Sequence, residues 1–340
     1  MSSLWADMHF LRAMQNLNNG RATRALGLLQ RALRHNPHNP VYHHNLGVAL
    51  AMLGELDGAL RAFDDAIRLD TTYAEAFSSR GLTRLAQGEL SGALADLNAA
   101  LRHDPDEPSL YLYRAYVHGE RGDHPAALAD YAVLIARFPT MALAFSSRAV
   151  AYARMGDHAA AEADLQTAFD LAPDVPEHYL NEAQARQLAG DLSAALVACN
   201  QALALDDGLA QGWAWRGMLH LRAGDIDQAA ADFHLAARND PQLAEAFAGL
   251  GLAYLARNES AAALDEFEDA LALKPGLSMA QLGAALAQLA LGDAETAQGT
   301  YAALISRVPS YADPDFAADE LAGLVPAARL RELQVERTED

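Results

Sequence analysis

Cysteine is nearly absent from this 340-residue chain. Cys199 stands alone, which rules out an intrachain disulfide framework and fits a reducing compartment. Lysine is nearly absent too: Lys274 is the only one, and arginine carries the rest of the positive charge. Basic side chains total 25 against 45 acids, a formal charge of −20. A surface that negative repels phosphate backbones and argues against nucleic acid as a general partner. No stretch reaches the ~18 consecutive apolar residues of a membrane-crossing helix. The first seventeen residues carry Asp7 and have no uninterrupted apolar core before a small-residue cleavage site, so they do not read as a signal peptide. A soluble, cytoplasmic protein is expected.

Catalytic signatures are missing as well. The chain has no G-x-x-x-x-G-K-[ST], no G-x-G-x-x-G after a strand, no H-E-x-x-H and no G-x-S-x-G. Four of the twelve histidines, His35, His38, His43 and His44, crowd one segment. No cysteine lies near them and their spacing matches no zinc pattern, so solvated turn histidines are expected and no metal is assigned. Cys199 has no matching base in its repeat and reads as a small buried hydrophobe. No cofactor is expected.

What the chain has is apolar material and a period. Hydrophobic residues make up 51% of it, enough for an extensive core. Alanine is abundant and β-branched residues are few, which favours helix throughout. From Ala6 the sequence repeats every 34 residues without insertion or deletion to Tyr311. The nine units are 6–39, 40–73, 74–107, 108–141, 142–175, 176–209, 210–243, 244–277 and 278–311. Position twenty is Ala in every unit, from Ala25 to Ala297, and position eight is always Gly or Ala. Small residues there let two helices approach closely.

Position fifteen is Gly in eight units and Asn258 in the other, suited to a left-handed helix end. An acid usually follows, placed to cap the second helix. Pro near the unit end stops that helix, except where Thr71 and Asp207 replace it. The end repeats are atypical: His9, His43 and Gln281 stand where middle units carry aromatics, as water-facing ends require. Beyond the repeats, residues 312–340 are expected to form a capping helix and a charged tail. Phe316, Leu321, Leu324 and Val325 would cover the last hairpin, with Pro326 bending the chain.

Five units carry Arg at position seven: Arg12, Arg80, Arg114, Arg148 and Arg216. Such a row suits either an anion-binding ladder or internal ion pairs. Where position seven is Arg, position twenty-three is usually Asp: Asp96, Asp130, Asp164 and Asp232. Those matches favour the ion pairs Arg80 with Asp96, Arg114 with Asp130, Arg148 with Asp164 and Arg216 with Asp232, because buried charges need partners. Arg12 with Leu28, and Leu250 with Glu266, break the rule.

The pattern resembles the tetratricopeptide repeat family, most clearly in the seventh and eighth units. They carry Trp213, Gly217, Ala229, Phe233, Ala236 and Pro241, then Phe247, Leu250, Gly251, Tyr254, Ala263, Phe267, Ala270 and Pro275. The resemblance implies an all-α fold, an α-solenoid in which antiparallel helix pairs stack into a right-handed superhelix. It also implies that the first helix of each pair lines a concave groove through positions two, five, six, nine, twelve and thirteen. Candidate partner-binding residues on that basis are Asn45, Tyr113, Tyr116, Arg154, Asn181, Gln184, Trp215, Met218 and Arg222.

The carboxylate clamp by which some relatives hold acidic chaperone tails is missing. Position five offers Phe10, His44, Ser78 and Leu112 instead of Lys, and position nine has no Asn. An apolar groove with aromatic anchors suits an amphipathic helix or apolar peptide. The expected function is a non-catalytic scaffold that holds a protein or peptide partner. The alternative is a self-assembling protomer joined through its ends or groove. An enzyme's substrate-binding arm is a weaker third, since five residues precede Ala6 and 29 follow Tyr311.

Overall fold

A left-handed residue ends the first helix of each repeat and turns the chain into a hairpin. The position-fifteen glycines adopt φ from +68° at Gly20 to +89° at Gly292. Asn258, at +61°, takes the same conformation and is the only non-glycine with positive φ among the described residues. The computed structural model describes residues 2–321 and 330–333. They are helical and contain no strand.

The chain divides into two units, 1–155 and 156–340. The first opens with α1 (Ser2–Asn18), α2 (Ala22–His35), α3 (Pro40–Met52) and α4 (Leu56–Leu69). It continues with α5 (Ala74–Ala86), α6 (Leu90–His103), α7 (Pro108–Glu120), α8 (His124–Arg137) and α9 (Ala142–Arg154). Each odd-numbered helix up to α7 pairs with the next to form a hairpin, and α9 packs on α8. First helices also touch along the row, α1 with α3, α3 with α5 and α5 with α7.

The second unit begins with α10 (His158–Leu171), α11 (Pro176–Leu188), α12 (Leu192–Leu205) and α13 (Ala210–Ala223). Then follow α14 (Ile226–Asn239), α15 (Ala244–Ala256), α16 (Ser260–Leu273), α17 (Ser278–Ala290) and α18 (Ala294–Arg307). Four hairpins result, α11 with α12 through α17 with α18. A 3-10 turn, Pro309–Ala312, and α19 (Pro314–Glu320) complete it.

The recurrent residues do mechanical work. Ala25, Ala59, Ala93, Ala195, Ala229, Ala263 and Ala297 at position twenty are wholly buried. A Cβ on Gly47 would lie 2.6 Å from the Phe63 ring, and one on Gly251 would lie 2.7 Å from Phe267. The small residue at position eight therefore makes room for the ring at position twenty-four. Asp123, Asp157, Asp191 and Asp293 each accept a hydrogen bond from a backbone N–H in the next turn. Glu55, Glu89 and Glu259, one methylene longer, do not cap in this way. Where Pro is missing, Asp70 and Asp206 still turn the chain by accepting from the N–H of Thr72 and Gly208, both at 2.9 Å.

The C-terminal segment differs from a simple end cap. Tyr301 donates its hydroxyl to the Tyr311 carbonyl at 2.7 Å, and the rings of Tyr311 and Phe316 meet edge to face. Leu321 is wholly buried while Phe316 stays exposed. Leu324, Val325, Pro326 and residues 334–340 lie outside the described residues.

Candidate protein-binding faces

Three of the five position-seven arginines, Arg80, Arg114 and Arg216, are occupied inside the stack, while Arg12 is exposed. Arg80 donates to both oxygens of Asp96, at 2.9 and 2.5 Å, and also to Asp64 on the preceding hairpin at 2.6 Å. Arg114 grips Asp130 at 2.9 and 2.5 Å and Asn98 at 2.6 Å. Arg216 grips Asp232 at 2.8 and 2.7 Å and Asn200 at 2.6 Å. Each guanidinium thus ties its own second helix to that of the hairpin before, and each covers an aromatic ring: Phe77, Tyr111 or Trp213. The Asp/Asn sixteen residues upstream of the Arg is the sequence signal for the third partner. Arg148, in the first unit, lies over the rings of Phe145 and Tyr152. Asp164 belongs to the second unit and is buried.

In the first unit the open face belongs to α7. Tyr113 and Tyr116, three residues apart and so on one side of the helix, are 37% and 55% exposed. Arg154 reaches back from α9 to the Gly119 carbonyl at 3.3 Å and to Glu120 at 3.8 Å, joining the C-terminal ends of two first helices. Asn45 is turned inward: it is buried, and its amide donates to the Val41 carbonyl of its own helix at 2.8 Å.

In the second unit Asn181 and Gln184 sit half-buried on α11. Trp215 is only partly exposed. It packs against the core formed by Ala183, Ala198, Cys199 and Leu219, and its buried indole N–H has no hydrogen-bond partner. The reason is the size of the neighbour at position twenty-four. Where that residue is aromatic, position six of the next unit is small: Ser79 follows Phe63, Ser147 follows Tyr131, and glycine follows Phe233 and Phe267, where a Cβ at Gly249 would lie 2.2 Å from Phe233 and one at Gly283 would lie 2.2 Å from Phe267. Where it is the small Cys199, a tryptophan fills the space. Met218 packs against the cluster that includes Leu221, Leu252 and Leu286. Arg222 donates to the Asp319 carboxylate at 3.2 Å and the Asp319 carbonyl at 3.1 Å.

Other polar groups have local duties. His44 pairs with the Ser79 hydroxyl at 3.0 Å between the rings of Phe63 and Tyr73. Burial pushes its pKa below the usual histidine value, against the opposing pull of Glu75. His43 contacts the Pro37 carbonyl at 2.9 Å, and His35 stacks on His9. Among the described residues no three His, Cys, Asp or Glu side chains gather as a metal ion would require. Burial pushes the Cys199 thiol up to about 12, so it is a packing residue rather than a thiolate nucleophile. No helix among the described residues is long and apolar enough to cross a membrane.

No curated protein sequence matches the chain. Solved structures do. A tetratricopeptide repeat protein from Parabacteroides merdae ATCC 43184 is 18% identical, with TM-score 0.52, covering 84% of this chain and 99% of its own. The Cut9–Hcn1 hetero-tetramer of the APC/C gives 19% identity and TM-score 0.50 over 83% of this chain and 55% of the other. MamA from Desulfovibrio magneticus RS-1 gives 20% and 0.46 over 49% and 95%. At these identities the likeness is one of fold. Tetratricopeptide repeat models match residues 10–74, 79–142, 147–210, 216–278 and 279–311, which together make up most of the sequence. Such repeats generally serve as non-catalytic scaffolds for protein interaction. On these matches and on the α-solenoid architecture of its hairpins, the chain belongs to the tetratricopeptide repeat family.

Proposed function

We propose that the protein is a non-catalytic scaffold that binds an amphipathic helix or apolar peptide of another protein on its first-helix face, centred on Tyr113 and Tyr116. The observation that carries this reading is the exposure of Tyr116, 55%, on a helix whose other sides are packed. A large rigid side chain more than half exposed, one turn from charged Glu120, is the usual composition of an interface anchor. A library of displayed helical peptides, selected on the purified full chain and measured by fluorescence anisotropy, tests it. Changing both Tyr113 and Tyr116 to Ala weakens binding at least tenfold while helical circular dichroism is unchanged. Unaltered affinity rejects the site.

The self-assembly alternative is favoured by a separate observation at the other end of the first unit. Trp5, Met8 and Leu11 form an exposed apolar row on α1, Leu11 being 66% exposed. Light scattering across a concentration series separates the two readings, since only self-assembly makes the mass rise with concentration.

A further inference from the structure

Residues that are open on α7 in the first unit have buried counterparts on α15 and α17 in the second, and the chain's C-terminal segment belongs to the same apolar cluster. On α7 only Leu110, Ala115 and Val117 are buried. On α15 every residue from Ala246 to Ala253 except Phe247 is buried, and on α17 so is every residue from Leu282 to Ala287. Leu252 and Leu286, the counterparts of Tyr116, are 0% and 5% exposed. They share one apolar cluster with Leu221 of α13 and with Ala317, Leu321, Leu330 and Leu333, all four buried. Arg222 fixes the direction of the fold-back. It binds Asp319 from α13, 97 residues earlier in the chain and two hairpins away from the last one.

We propose that the described C-terminal residues, 313–321 and 330–333, are an intramolecular ligand of the α13, α15 and α17 face. Their displacement opens a second docking site for a helix of another protein with the same chemistry, a small aliphatic face and an acid opposite Arg222. This rests on the reading of first-helix faces as protein-binding surfaces. The hold is weak by construction. The Arg222–Asp319 pair is largely in water, with Asp319 77% exposed, where an ion pair contributes little. α19 is seven residues long, too short to persist as a helix without the surface beneath it.

A fluorescein-labelled peptide of sequence 313–333, added to the intact chain, reads this directly. The wild type binds it poorly because the face is occupied. Asp319→Arg with Leu321→Asp loosens the segment and tightens peptide binding at least tenfold, and Arg222→Glu in that background removes the gain. Asp319→Arg alone, a change at the surface, gives a smaller gain of the same sign and serves if the double variant loses its helical dichroism. Equal affinity of wild type and both variants, or a gain that survives Arg222→Glu, overturns the proposal. Dimerisation of the loosened variant assigns the face to a second copy and overturns it also. The test uses neither Tyr113 nor Tyr116, so its failure leaves the open face untouched.

Discussion

Arg216 shows how much of the stack can rest on one side chain. Its guanidinium binds two oxygens of Asp232, one of Asn200 and the face of Trp213, 4.6 Å from the ring centre. The Asp232 side chain is only 3% exposed, so its charge depends on this partner. Arg216→Met leaves that carboxylate buried with only the His220 ring, 3.8 Å away, in place of its guanidinium partner and costs about 3 kcal/mol. Adding Asp232→Leu recovers most of the loss, because the desolvated charge is gone. Urea unfolding of the wild type, both single variants and the double variant checks this; additive losses contradict it. The pairing of positions seven and twenty-three is legible in the sequence because both lie in one repeat. The bonds to Asp64, Asn98 and Asn200 cross between hairpins, and their only trace in the sequence is an Asp or Asn sixteen residues before the arginine, a spacing that gains meaning once the stacking of second helices is known.

At the scale of the element, the fit between hairpins is set by volume. Position twenty-four of one unit and position six of the next share a space: Cys199 with Trp215, Phe233 with Gly249, Phe267 with Gly283. Cys199→Phe therefore overfills its site and costs about 1–3 kcal/mol, and Trp215→Gly in the same chain restores stability by recreating the neighbouring arrangement. Thermal unfolding of the two variants checks the pair; a double variant less stable than Cys199→Phe alone contradicts it. Helix ends were readable because Gly at fifteen and the 34-residue period mark them. Position six faces either solvent or the previous hairpin, and residue twenty-four decides which, so the packing of Trp215 against Cys199 does not show in position six alone. The fold-back of the C-terminal segment was hidden for a similar reason. Its amphipathic pattern marks α19 as a helix with an apolar side, but nothing local names the surface that receives it.

Across the whole molecule, surface charge and repeat geometry point the same way. A formal charge of −20 disfavours polyanionic partners, and apolar and aromatic patches on first-helix faces are the proposed means of recognition. One first-helix face, around Tyr116, is open; another, around Leu252 and Leu286, is buried in one apolar cluster with residues of the C-terminal segment. A photo-crosslinking residue placed in the native host at position 116, with a control at exposed Gln166 on α10, tests the central claim most directly. Adducts to another polypeptide at 116 and none at 166 are predicted; equal adducts at both positions, or none at 116, would contradict the account.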